Sequence, residues 1–207
     1  MSYYTTTYSG KRLSFTNPQS DQICLDDIFQ ALPQLCRFSG NTKYFYSVAQ
    51  HSLNCYYVAK NFYQANIETQ LACLLHDAAE TYISDIPTDL KKLAREVRIT
   101  EDTIMVVLWR KIFDEYCSKF KNNTEENLVD LIDKKLAVTE FDKLIGQDRS
   151  EWILTQEKVL PINNNKIPEV DFSERKIDSV RDEFSRTVIM LIDKLKKKYG
   201  SEIQKNS

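Results

Sequence analysis

Apolar positions along most of this chain recur at spacings of three and four, the period of a helix with one buried face. The first stretch is the exception. Tyr3 to Tyr8 is rich in tyrosine and threonine, Ser9-Gly10 offers a turn, and Lys11 to Phe15 resumes with alternating apolar positions. This predicts a small β-hairpin, too marginal to stand alone and therefore expected to pack on helices. Leu25 to Leu32 predicts a short amphipathic helix limited by Pro33, with Ile28, Leu32 and Leu35 as its stripe. Ser47 opens a helix to about Tyr63 that carries Val48, Leu53, Tyr56 and Tyr57. The next runs from about Ile67 to Ile83, with Leu71, Leu74, Leu75 and Ala78 as a core face, and Asp85-Ile86-Pro87 ends it. Thr88 to Glu96 predicts a short helix, and Thr100 is expected to cap another over about Glu101 to Phe120. Asn123 with Glu126 forms a capping-box pattern for a helix running to about Ile145, closed by Gly146. Residues 147–170 predict a long irregular stretch, either a wall or lid of a site or a plain surface excursion. Asp171 with Glu174 is expected to cap the last helix, striped by Ile177, Val180, Phe184, Val188, Leu191 and Leu195. The expectation is an all-α fold with a small N-terminal β-hairpin, one domain over residues 1–200 and a flexible tail over 201–207.

Composition narrows the function classes. Of 207 residues, 42% are hydrophobic and 28% charged, enough apolar side chains for one buried core in a soluble chain. The formal net charge of −2 gives no global basic field, so no stable nucleic-acid partner is expected. The five cysteines show no CxxC pair and read as reduced core thiols. No apolar run approaches the roughly 20 residues that span a bilayer, and MSYYTTTYSGKR lacks the apolar core of a signal peptide. A cytoplasmic location without membrane contact is the expectation.

The chain has only two histidines, His51 and His76, and the second stands directly before Asp77. A hydrolytic metal site needs a few fixed His and Asp ligands and an open position. His51, His76, Asp77 and Asp133 all fall on predicted helices, which hold ligands more rigidly than loops do. Asp133 lies beside Ile132 and Leu136, where an ionised carboxylate wants a partner. Taken alone, a His-Asp dipeptide is a weak signal, and a hydrogen-bonded core histidine is the plainer reading. Arg37 and Lys43 flank Gly40-Asn41 before a helix start. Such cations can grip a phosphate, although solvated loop cations are again the plainer reading on composition.

The order His51, His76-Asp77, Asp133 resembles the metal site of the HD-domain phosphohydrolases. The likeness extends to RFSGNTKYFYSVAQHS, to LLHDAAETYISDIPTDLK and to VDLIDKKLAVTEFDKLI, and covers roughly residues 3 to 145. These blocks are similar to a subgroup related to bacterial HD-type 5′-deoxynucleotidases and phage dATP triphosphohydrolases. The resemblance implies a helical bundle of the HD-domain kind that holds one divalent ion (manganese, cobalt or zinc) on His51, His76, Asp77 and Asp133. Asp133, rather than Asp130 or Asp142, matches the motif position before Thr139-Glu140. The resemblance makes Glu80 the proton-handling acid and Asp85 a residue that meets the sugar or orders the site. It makes Lys91 and Arg37 phosphate contacts, with Lys43 as a further substrate-side cation, and it implies a homodimer. Phe38 stands where the better-known nucleotidases have tryptophan, and Gln50 where they have an acid. Both changes bear on sugar and base preference.

The expected activity is metal-dependent hydrolysis of nucleoside or deoxynucleoside 5′-phosphates, from mono- to triphosphates. Two alternatives stand beside it: a phosphodiesterase of cyclic or signalling nucleotides, since one fold hosts several chemistries, and a nucleotide-binding or sensor module without turnover.

Overall fold

The computed structural model describes residues 3–146, 162 and 167–206. Helices dominate, and the only sheet among the described residues is the N-terminal hairpin. Its strands β1 (Tyr4–Thr6) and β2 (Arg12–Ser14) pair antiparallel with Thr5 opposite Leu13. Leu13 is fully buried, and the backbone N–H and hydroxyl of Ser9 both donate to Asp27. The hairpin is thus fastened to α1 (Leu25–Ala31) at its turn and through one apolar plug.

The middle of the molecule is α2 (Val48–Tyr57) against α3 (Ile67–Leu75). Residues 48–56 are buried throughout, so α2 has no solvent face there to give a clean polar stripe. Ser47 caps it by accepting from the Gln50 N–H, and Asn66 caps α3 by accepting from Thr69. After α3 come α4 (Glu80–Ile83), α5 (Thr88–Leu93), α6 (Arg95–Phe113), α7 (Cys117–Asn123) and α8 (Glu126–Glu140). The last helix, α9 (Ile177–Asn206), packs on α3 and α2. Val180, Phe184, Val188, Leu191, Leu195 and Tyr199 are its buried stripe, whereas Ile177 is exposed. One connected core extends from Leu13 to Tyr199. No helix among the described residues is long and apolar enough to cross a membrane.

Several element boundaries depart from the sequence expectation, each for a local reason. The helix expected over 67–83 breaks after Leu75, where Ala78 and Glu80 donate to carbonyls only three residues back. This tighter winding brings Asp77 and Glu80 to the wall of one cavity, with His76 against Asp77. Asp114 has φ of 45°, which stops α6 and separates it from α7. Thr100 lies inside α6 and donates to the Phe15 carbonyl instead of capping. Asn123 ends α7, and α8 starts at Glu126 without a side-chain cap. Asp171 accepts from Ser173, a bend ahead of α9 and not its cap. The helical backbone of α9 runs on to Asn206, through most of the expected flexible tail. Most of the irregular stretch expected over 147–170 lies outside the described residues. Of the part within them, Ile167 and Val170 are buried.

Candidate metal centre

Four side chains from three helical segments converge on one point. His51 comes from the buried second turn of α2, His76 and Asp77 from the tight turn after α3, and Asp133 from the middle of α8. His51 Nε2 lies 3.3 Å from His76 Nε2, 3.0 Å from Asp133 Oδ1 and 3.8 Å from Asp77 Oδ2. His76 Nε2 lies 3.1 Å from Asp77 Oδ2 and 3.7 Å from Asp133 Oδ1. Donor atoms about 2.0–2.2 Å from a shared ion stand roughly 3.0–3.5 Å apart in octahedral or tetrahedral arrangements. The observed separations fall in or near that range.

The far side of each imidazole fixes its tautomer. His51 Nδ1 is 2.6 Å from Glu140 Oε1, and His76 Nδ1 is 2.8 Å from the Cys73 carbonyl oxygen. Both partners accept, so both Nδ1 atoms donate and both Nε2 atoms point inward, where each offers a lone pair to an ion once its ring is neutral. Two Nε2 atoms and two carboxylates therefore face one another. In the metal-free protein the protonated histidines donate to these carboxylates, and an Arg37 N–H donates to Asp77. A divalent cation that displaces the histidine protons meets two imidazole nitrogens and two carboxylates, a donor set that suits it.

The electrostatics run the same way. Burial opposes charge on His76, yet the Asp77 and Asp133 carboxylates hold its pKa well above the ordinary value. Burial and Arg37 oppose charge on His51, and Glu140 and Asp133 outweigh them. Asp77 is held down at about 2 against its burial, chiefly by His76. Asp133 is held well below the usual carboxylate range by its bonds to both histidines. The pocket's field favours positive charge at its middle.

Beside this cluster opens a cleft of about 450 Å³ whose walls include Asp77 and Asp133, together with Arg37, Glu80, Asp85 and Lys91. The volume is within the range of small-molecule sites. Arg37 donates through Nη1 to Asp77 and through Nε to Glu140, at 3.3 and 3.1 Å. It opens a turn in which Phe38, Ser39 and Gly40 all have positive φ. Two non-glycine residues in that region store strain, as functional sites often do. Phe38 lines the same cleft and packs edge-on against Phe141.

Glu80 is buried and its Oε1 accepts from Lys91 at 3.3 Å, whereas its Oε2 is buried with no partner. Burial, then the neighbouring Asp77 and Asp85 carboxylates, push its pKa well above the ordinary value. Asp85 is raised mainly by burial. Lys91 is held between Glu80 and Glu101, and these carboxylates outweigh burial and bring it to about 12.

Lys43 does not join this group. Its ammonium donates to the Lys143 carbonyl at 3.2 Å and sits beside Gly146, at the carbonyl end of α8 and the turn that continues it. Carbonyls at a helix end attract a cation, and here they hold the Lys43 ammonium. Lys43→Ala is accordingly expected to leave ligand binding in the cleft unchanged and to shift stability by no more than about 0.5 kcal/mol, as read from a binding titration and a thermal melt. Gln50 is not in the cleft either. Its amide donates to the carbonyls of Asp171 and Ser173, pinning the entry to α9.

Sequence reasoning missed Glu140, Cys55 and Glu101. Glu140 is fully buried and takes three bonds, from His51, Arg37 and the Tyr46 hydroxyl. The signal was its place two helical turns after Asp133 on α8, which puts both acids on one face. Cys55 stands one turn after His51, with Sγ 3.4 Å from His51 Nε2.

The chain is 35% identical over 108 residues to the uncharacterized protein YfdR of Escherichia coli (strain K12), a match covering 52% of this chain and 57% of that protein. It is 39% identical over 89 residues to the uncharacterized protein RCAP_rcc00048 of Rhodobacter capsulatus, covering 40% of this chain and 44% of that one. The chain thus spans about half the length of the curated relatives it matches. No family model matches it.

Proposed function

We propose that this chain is a cytoplasmic metal-dependent phosphohydrolase of the HD-domain kind, acting on nucleoside 5′-phosphates. The observation that carries the reading is the convergence of His51, His76, Asp77 and Asp133 at the wall of a cleft that also presents Arg37, Lys91 and a buried acid. Those four residues would hold one divalent ion, which supplies Lewis-acid stabilisation of phosphoryl oxygens and lowers the pKa of water.

The chain's own groups do the rest. Arg37 and Lys91 offset charge on the phosphate as it grows in the transition state. Each is anchored by carboxylates, so its position is set before substrate arrives. Glu80 holds a proton at carboxyl Oε2, which has no other partner, and delivers it to the leaving 5′ oxygen. Asp85 faces the same cleft and is placed to order the sugar.

The supply of cations favours the short end of the substrate range. With Asp77 and Asp133 committed to the ion and Glu80 protonated, the carboxylates Asp85 and Asp89 share the cleft with the cations Arg37 and Lys91. Among the described residues no further cation lines it for β- and γ-phosphates, since Lys43 faces the end of α8. Monophosphates are the favoured substrates. Incubation with manganese or cobalt and a panel of ribo- and deoxynucleoside mono-, di- and triphosphates, with ion-exchange separation of products, tests this. Nucleoside and phosphate released mainly from monophosphates is the expected result. Inertness toward the whole panel would overturn the reading.

The Glu80 assignment makes a pH prediction. Its pKa is raised, so the proton needed by the leaving group is present at low pH and is lost as pH rises through the shifted value. The alkaline limb of kcat/KM should lie above the ordinary carboxylate range. Burial is the largest cause of the shift and persists whatever binds at Asp77. Glu80→Gln should lower the rate on the order of 10²–10⁴-fold and abolish that limb; a limb unchanged in the variant would remove Glu80 from the role.

A further inference from the structure

We propose that Cys55 is a ligand for thiophilic divalent ions, giving the centre a second donor set, His51–Cys55–His76, beside the carboxylate one. This rests on the metal-site reading above. The donor atoms of the three residues all lie within 4.8 Å of one another. His51 and Cys55 are one turn apart on α2, so both side chains leave the same face of a buried, rigid helix. Their Sγ···Nε2 separation is 3.4 Å. Zinc bonds of about 2.3 Å to sulfur and about 2.0–2.1 Å to nitrogen, set tetrahedrally, put those atoms roughly 3.5 Å apart.

A buried cysteine is usually a small apolar filler, and Cys73 fits that description on α3. Cys55 differs because its sulfur faces the inward Nε2 of His51. The two donor sets share the histidines and differ in softness. Asp77 and Asp133 suit hard ions such as manganese, whereas thiolate suits zinc, cobalt or cadmium. Binding to Cys55 exchanges the S–H proton for an S–metal bond, releases the proton to solvent and changes no oxidation state. Asp77 and Asp133 line the cleft, but Cys55 does not. An ion drawn toward Cys55 therefore recedes from the substrate side, and the zinc-loaded protein should turn over more slowly than the manganese-loaded one.

Cobalt(II) is the probe. Titrated into the full chain, it should give a near-ultraviolet sulfur-to-cobalt charge-transfer band that saturates at one ion per chain. Cys55→Ser and Cys55→Ala should both lose the band while still binding cobalt, and Cys73→Ser should keep it. Zinc affinity should fall in the Cys55 variants and manganese affinity should not. Cobalt bound without the band, or a band that survives in both Cys55 variants, overturns the assignment while leaving the carboxylate site standing. Failure of the wild-type chain to bind cobalt at all overturns the metal-site reading, and this inference with it.

Discussion

Asp77→Asn should lower metal-dependent kcat/KM by about 10³-fold or more, at least about 4 kcal/mol at the transition state, with the far-ultraviolet helix signal unchanged. The side chains are isosteric, so the turn after α3 keeps its shape. In the metal-free protein the new amide can donate to the inward Nε2 of His76, which lies 3.1 Å from Asp77 Oδ2. What is lost is an anionic ligand that also accepts from Arg37. One substitution thus weakens the grip on the ion and loosens a phosphate contact. Steady-state kinetics at saturating manganese, paired with circular dichroism, separate this from unfolding. A variant that keeps full activity after chelation would show that the mechanism is wrong.

Glu140→Ala should have the largest effect on stability of any change near the site. The carboxylate is fully buried and joins α8 to α2 and to the Arg37 turn through His51, Arg37 and Tyr46. Burial resists its ionisation, but His51 and Arg37 more than offset this and hold its pKa below the ordinary value. Removing it strands a buried guanidinium and an imidazole N–H. Breaking a buried pair from one side costs about 3–5 kcal/mol. At roughly 2–4 °C per kcal/mol for a chain of this size, the melting temperature should fall by about 10 °C. Glu140→Gln should be milder in stability but still damaging in function. Its amide oxygen can accept from His51, while its NH₂ meets Arg37 Nε, donor against donor. The sign of the pH effect follows from the lowered pKa. The stabilisation from Glu140 is present above the unfolded carboxylate value and disappears as pH falls through the folded one. The wild-type protein should therefore lose more stability on acidification than Glu140→Gln does.

The sequence carried the helices wherever one face was apolar. The α9 stripe from Val180 to Leu195 and the α3 face from Leu71 to Leu75 are buried as their periods imply, as is Ala78 in the turn beyond. His51, His76, Asp77 and Asp133 were legible as a group only through the likeness of their order to a known metal-site pattern, since a His-Asp dipeptide alone is a weak signal. Helix ends were less legible. Asn123-x-x-Glu126 has the composition of a capping box, yet Asn123 closes α7, because a cap is a backbone event that composition alone does not locate. Lys43 was grouped with Arg37 by its neighbours in sequence, whereas in space its ammonium meets the Lys143 carbonyl. Glu140 was passed over because an acid in an apolar run has a meaning only when its partners are known. Those partners, Arg37, Tyr46 and His51, lie 89 to 103 residues away.

The central claim is that His51, His76, Asp77 and Asp133 together hold one divalent ion. Equilibrium dialysis of the purified chain against manganese, beside Asp133→Ala, tests it most directly. Asp133 is the most exposed of the four ligands, with 38% of its side chain accessible, so its loss spares the core. The account predicts one manganese per wild-type chain and none retained by the variant at the same free concentration. A wild-type chain that binds no manganese, or a variant that binds it equally well, would contradict the account.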